Sequence, residues 1–122
     1  MTTLLPLPDA AQARRLLATV PYGERFPAGR LRPPVGIIPG TIRSLSELHR
    51  LLEPDVQSLP GINLTALPEW IARTVGDPEL AGAVRSVTGE AASYVARCLA
   101  VHDLVGRRLT QARTVAGEEE MS

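Results

Sequence analysis

The chain is predicted to be mainly α: a small helical bundle of about five helices, with an extended Pro/Gly-rich N-terminal arm and room for one short β-hairpin. Three observations predict this. All eleven prolines lie between Pro6 and Pro78. Proline breaks helix interiors, so only the last part of the chain is free to form one long helix. The apolar residues are mostly Leu, Ala and Val, with four aromatics, Tyr22, Phe26, Trp70 and Tyr94, a mix that favours helix over sheet. Finally, four segments open on residues that cap helices. A length of 122 residues suits a single domain, divided into a first helix (9–20), an arm (21–43), a helical core (44–117) and an acidic tail (118–122).

In the first helix, Asp9 and Gln12 form a capping-box-like pair. Ala13, Leu16, Leu17 and Val20 make one apolar stripe, which Pro21 ends. Residues 21–40 hold five prolines and four glycines. Such a segment cannot build a core of its own and must lie on helices of this chain or on another chain. Pro33-Pro34 is read as extended, Val35–Ile38 as a short strand, Pro39-Gly40 as a turn, and Thr41-Ile42-Arg43 as the returning half of a hairpin. Ser44 and Glu47 form a second capping box, followed by the stripe Leu45, Leu48, Leu51 and Leu52. Residues 54–62 read as linker. Asn63 or Thr65 caps a third helix running to Val75, with Pro68 in its first turn and Gly76 as the residue that ends it. Asp77-Pro78 starts a fourth helix, buried through Leu80, Ala83, Val84 and Val87. The last helix runs from about Gly89 to Ala116, its seam at Ala91, Val95, Cys98, His102, Val105, Leu109, Ala112 and Ala116. A second apolar edge carries Tyr94, Leu99, Val101 and Leu104.

The charges narrow the function classes. All thirteen basic residues are arginine, as codon bias in a GC-rich bacterial genome would produce. Without lysine there is neither a Schiff base nor a P-loop lysine. Residues 14–50 carry seven arginines against Glu24 and Glu47, a net of +5. Residues 51–83 carry five acids against Arg73, a net of −4. The two stretches are expected to attract each other, within one chain or between copies. A formal charge of zero disfavours nonspecific nucleic-acid binding. No apolar run is long enough to span a bilayer, and a lone cysteine, Cys98, fits a reducing cytoplasm.

Candidate chemistry is sparse. Cys98 and His102 share a helical face at i, i+4, but a metal site needs two further ligands, and only His49 and a carboxylate are at hand. A Cys98–His102–Asp103 triad fails because adjacent helical residues diverge. No metal, cofactor or catalytic residue is therefore assigned. Ala72 and Gly76 match the small-residue pattern of a helix-turn-helix, yet that register turns Asp77, Gly82 and Arg85 inward, and the second helix begins with acids that repel phosphate.

Gly40–Leu48, Leu67–Ala72 and Val75–Ala81 together resemble three blocks of an uncharacterised prokaryotic domain family of about this length. No activity is assigned to that family, so the resemblance implies none. The residues themselves predict a non-catalytic, cytoplasmic interaction module, an accessory subunit or assembly factor that binds a protein partner or its own copies. The contact residues expected are Tyr22, Arg25, Phe26, Arg30, Arg32, Arg43, Val105 and Leu109. Two alternatives are a DNA- or RNA-binding regulator, using the arginine-rich arm or the helix pair around Gly76, and a small enzyme or ligand-binding protein using His49, Cys98 or His102.

Overall fold

Local capping at Asp9, Ser44 and Asp77 starts three of the helices where the sequence places them. The computed structural model describes residues 5–91 and 93–121, with side chains as far as Gly117. Helix α1 spans Ala10–Leu17, its first turn held by Asp9 Oδ1, which accepts from Gln12 N–H at 2.8 Å. It stops three residues before the predicted end. The residue preceding a proline disfavours helical backbone, and Val20 instead donates its N–H to Arg43 O at 2.7 Å. Helix α2 spans Leu45–Leu51, and Ser44 Oγ accepts from Glu47 N–H as the capping box requires. Helix α3 (Leu67–Trp70) starts later than the predicted Asn63 or Thr65 cap, on Ala66 with no side-chain cap; Asn63 Oδ1 instead accepts from Thr65 and Ala66 N–H in the turn leading into it.

A widened turn, Ile71–Val75, continues α3, and both Gly76 and Asp77 donate their N–H to Ile71 O. Gly76 then takes φ 82°, a left-handed conformation natural for glycine. The guanidinium of Arg15 fills the space where a Cβ would stand, 2.3 Å from Cζ. Helix α4 runs Pro78–Glu90, with Asp77 Oδ1 accepting from Leu80 N–H at 3.0 Å. Gly89 lies inside α4 rather than opening the last helix. Ala91 turns extended, Ser93 Oγ caps Ala96 N–H, and helix α5 runs Tyr94–Met121. Of the predicted acidic tail, the backbone through Met121 is helical, while the side chains of Glu118, Glu119 and Glu120 lie outside the described residues.

The fold class differs from the bundle that the sequence predicts. The arm is not an arm but most of a four-stranded antiparallel sheet, so the fold is α+β. Strand β1 (Phe26–Arg32) is its centre. Strands β2 (Gly36–Ile38) and β3 (Thr41–Ile42) lie against it, Arg30 opposite Ile38 and Phe26 opposite Ile42. That is one continuous register, so β2 and β3 are a single border interrupted at Pro39-Gly40, where Ala28 N–H donates to Gly40 O at 3.0 Å. The expected hairpin between 35–38 and 41–43 does not exist, because both pieces pair with β1. Strand β4 (Leu59–Ile62), inside the predicted linker, takes the other side, Ala28 opposite Ile62 and Leu31 opposite Leu59. Prolines survive here because Pro60 occupies an edge strand and Pro39 an interruption.

One core joins helices and sheet. Leu16, Leu45, Leu48, Leu67, Ile71, Leu80, Val84, Val101, Val105 and Leu109 are almost wholly buried, and Phe26, Ala28, Ile42 and Ile62 cover them from the inner sheet face. Each large aliphatic side chain contributes about 1.5–3 kcal/mol through burial. Phe26 meets Trp70 with ring centroids 5.7 Å apart, and Trp70 Nε1 donates to Glu24 O at 2.7 Å. The buried face of α5 keeps Cys98, Val105, Leu109 and Ala112 of the predicted heptad and joins them to Val101 and Leu104 of the predicted second edge and to Arg108, while Tyr94, Val95 and Leu99 are exposed. His102 is half-buried. No helix among the described residues is long and apolar enough to cross a membrane.

Arg108 is the unexpected core residue. Its Nε donates to Asp77 Oδ2 at 2.7 Å and its Nη2 to Oδ1 at 3.3 Å, both side chains fully buried. Its Nη1 donates to Pro6 O at 2.6 Å and to Gln111 Oε1 at 3.0 Å. Gln12 Nε2 also reaches Asp77, and Gln111 Nε2 reaches Leu5 O. One buried ion pair thus ties the N-terminal segment, α1, the start of α4 and the middle of α5.

Candidate interaction site

The two faces of the sheet present two kinds of surface. Successive residues of a strand point to opposite faces. Since Phe26 and Ala28 enter the core, Pro27, Gly29 and Leu31 face outward. Residues directly opposite across strands share a face, so Leu31 stands in a row between Ile37 and Leu59, Gly29 beside Gly61, and Pro27 beside Thr41. No charged side chain belongs to that set. Ile37 is 71% exposed, Leu59 40% and Leu31 37%, and Val35 at the hairpin tip is 73% exposed. The largest contiguous exposed apolar patch on a protein often marks a functional surface.

The inner face leaves the core at Arg30. There it forms, with α2, a cleft of about 490 Å³ lined by Arg30, Arg32, Arg50, Ile38, Ile42 and Leu51. Arg30 Nε donates to Ser58 Oγ at 2.8 Å and Nη1 to Leu51 O at 2.5 Å. Ser58 in turn donates to Asp55 Oδ2 at 2.9 Å, in a tight turn where Asp55 Oδ1 accepts Gln57 N–H. The Gln57 N–H and then the Ser58 hydroxyl hold the Asp55 carboxyl below its usual range, with Arg30 and Arg32 adding to the effect.

The other expected contact residues divide. Phe26, Val105 and Leu109 are buried in the core and form no part of any surface. Tyr22 is 82% exposed with the Arg25 guanidinium 4.5 Å from its ring centroid, and Arg25 Nε is buried without a hydrogen-bond partner. Arg43 is engaged locally: its N–H, Nε and Nη2 all donate to Glu47, a contact that holds the Glu47 carboxyl low. Leu31, Ile37, Leu59 and Arg50 were not among the expected contact residues. The alternation of Phe26, Ala28 and Arg30 with smaller residues was the available signal, obscured by the prolines.

Two of the candidates for chemistry meet. His49 and His102 stack face to face, centroids 4.2 Å apart and planes 13° from parallel, and His49 lies against Gly106. Burial makes the Cys98 thiol harder to ionise, which disfavours the nucleophilic thiolate. Around Gly76, Asp77 is buried and ion-paired, while Gly82 and Arg85 are exposed, unlike the packed register of a helix-turn-helix.

Two predictions follow from these contacts. Burial, then the nearby His102, lowers the His49 pKa. The unfolded chain therefore takes up a proton, near the ordinary value of about 6.5, more readily than the folded one. The stability His49 contributes is present above that pH and is lost as pH falls. Thermal unfolding followed by circular dichroism should show Tm dropping between pH 7.5 and 5.5 and a flatter profile in His49→Asn. The second prediction concerns Tyr94, whose hydroxyl donates to Pro60 O at 2.5 Å and accepts from Ile62 N–H at 3.1 Å, closing the outer side of β4. Tyr94→Phe should destabilise by about 1–2 kcal/mol in urea unfolding, the magnitude of lost part-buried hydrogen bonds.

Compared with protein-family models, curated proteins and solved structures, the chain matches none.

Proposed function

We propose that this protein is a non-catalytic interaction module, an accessory subunit or assembly factor that docks on a larger protein through the outer face of its sheet. The observation that carries this reading is the uncharged row Leu31–Ile37–Leu59, open to solvent across three strands. Water-exposed aliphatic surface gains from burial in proportion to its area, and among the described residues no element covers it. A cytoplasmic, bacterial setting belongs to the same proposal, on the strength of the lone thiol and the absence of lysine.

Affinity capture from the native cell with the full chain tests it, read by mass spectrometry against an Ile37→Arg variant. Ile37 is exposed, so the variant should keep the wild-type Tm. Capture of a defined protein by the wild type and its loss from the variant are expected. Identical capture by both, or no capture by a folded wild type, would reject the reading.

A further inference from the structure

Beneath the apolar face, the cleft between β1, β2 and α2 carries three guanidinium groups from two separate elements: Arg30 and Arg32 on the strand, Arg50 on the helix. Arg30 is fixed by its bonds to Ser58 and to Leu51 O, which engage Nε and Nη1 and leave Nη2 free. Arg32 and Arg50 are exposed and form no salt bridge among the described residues. Glu47, the one acid of the cleft wall, gives both carboxylate oxygens to Arg43 and feels Arg50 only through space. Asp55 and Glu53 line an adjoining hollow with Arg30 and Arg50, so they offset part of the charge without bonding to Arg32 or Arg50. Between the arginines the wall is aliphatic: Ile38 is 46% exposed there, beside the half-buried Leu51.

Guanidinium groups bind carboxylates in a planar, bidentate fashion. A ligand complementary to this cleft alternates carboxylates with aliphatic groups. We infer that the cleft binds an acidic peptide segment of the docking partner, its carboxylates on Arg30, Arg32 and Arg50 and its aliphatic side chains against Ile38 and Leu51. This rests on the interaction-module reading and names the chemistry of the partner. A nucleic acid fits less well. The lining contains no aromatic side chain on which a base can stack, and the aliphatic wall has no counterpart in a sugar-phosphate backbone.

The probe is a fluorescein-labelled synthetic peptide of sequence Leu-Glu-Val-Glu-Leu-Asp-Val-Glu, titrated by fluorescence anisotropy against the full-length protein. Controls are the same peptide with Gln and Asn for its acids, and an oligouridylate. The acidic peptide should bind and weaken with added NaCl. The charge-reversed double variant Arg32→Glu/Arg50→Glu should bind it about tenfold or more weakly, as expected for removing close charge pairs. Arg85→Glu, a reversal on the exposed side of α4, should bind as the wild type does. Failure of the peptide to bind, equal binding of the uncharged peptide, or indifference to the double reversal overturns the assignment. Tighter binding of the oligouridylate, lost on the same reversal, overturns it in favour of a nucleic acid. Capture that depends on Ile37 is scored in parallel. If it persists when the peptide test fails, the cleft assignment alone falls; if it too is absent, the docking reading falls with it.

Discussion

Arg108→Ala should destabilise the protein by about 3–5 kcal/mol, because breaking a buried ion pair leaves the surviving charge without a partner. Marginal domains have only about 5–15 kcal/mol in total, so the variant is expected to be partly unfolded at 37 °C. The loss has three parts: the Asp77 carboxylate stays buried, Pro6 O loses its donor, and Gln111 loses a neighbour that positions it. Asp77→Ala should be at least as severe. It strands the arginine and also removes the cap on Leu80 N–H, worth about 1 kcal/mol. The double variant Arg108→Met/Asp77→Asn should recover much of the loss, since no unpaired charge remains and Asn still caps the helix. Urea unfolding of the wild type, Arg108→Met, Asp77→Asn and this double variant measures the coupling. Additive losses in the double variant would show that the two side chains act independently, contrary to their 2.7 Å contact.

Gly29→Ala should cost about 1–3 kcal/mol, the range for forcing an extra carbon into packed structure, whereas Gly61→Ala should be nearly neutral. The two residues face each other across β1 and β4, so strand propensity alone would treat them alike. What separates them is the interruption at Pro39. A Cβ on Gly29 would stand 2.2 Å from Ile38 O and 3.1 Å from its carbonyl carbon, both backbone atoms. No rotamer change relieves that contact; the strand itself must move. A Cβ on Gly61 would meet Gly29 O at 3.5 Å, an ordinary contact. Paired thermal melts of the two variants give the comparison. Amide hydrogen exchange should place the loosening of Gly29→Ala at Arg30–Ile38, and equal effects of both substitutions would contradict the geometry.

What could be read from the chain was whatever chemistry acts within a few residues. Ser44 with Glu47, Asp77 with Pro78, and Gly76 each announce a helix end, because a cap and its acceptor are neighbours in sequence. The sheet was hidden because its partners are far apart, Ala28 with Ile62 and Gly29 with Gly61, and because prolines imply loop until an edge strand or an interruption accommodates them. Arg108 was hidden for a related reason. An arginine on a helix is ordinarily assigned to solvent, and nothing near it in sequence betrays a carboxylate 31 residues away. The heptad therefore put the half-buried His102 on the seam and left Arg108 off it. The candidate site shared that fate: Arg30 was singled out for its charge, but its alignment with Arg50 required the fold.

Tyr94 has a consequence for assembly as well as for stability. A sheet with two open borders can add chains at both ends and grow without limit, the route to fibres. Here one border is sealed by a phenol that satisfies both the donor of Ile62 and the acceptor of Pro60. The other is broken by Pro39 into pieces of three and two residues. The sheet is therefore at most monovalent toward other strands. It can be completed once, and it cannot propagate.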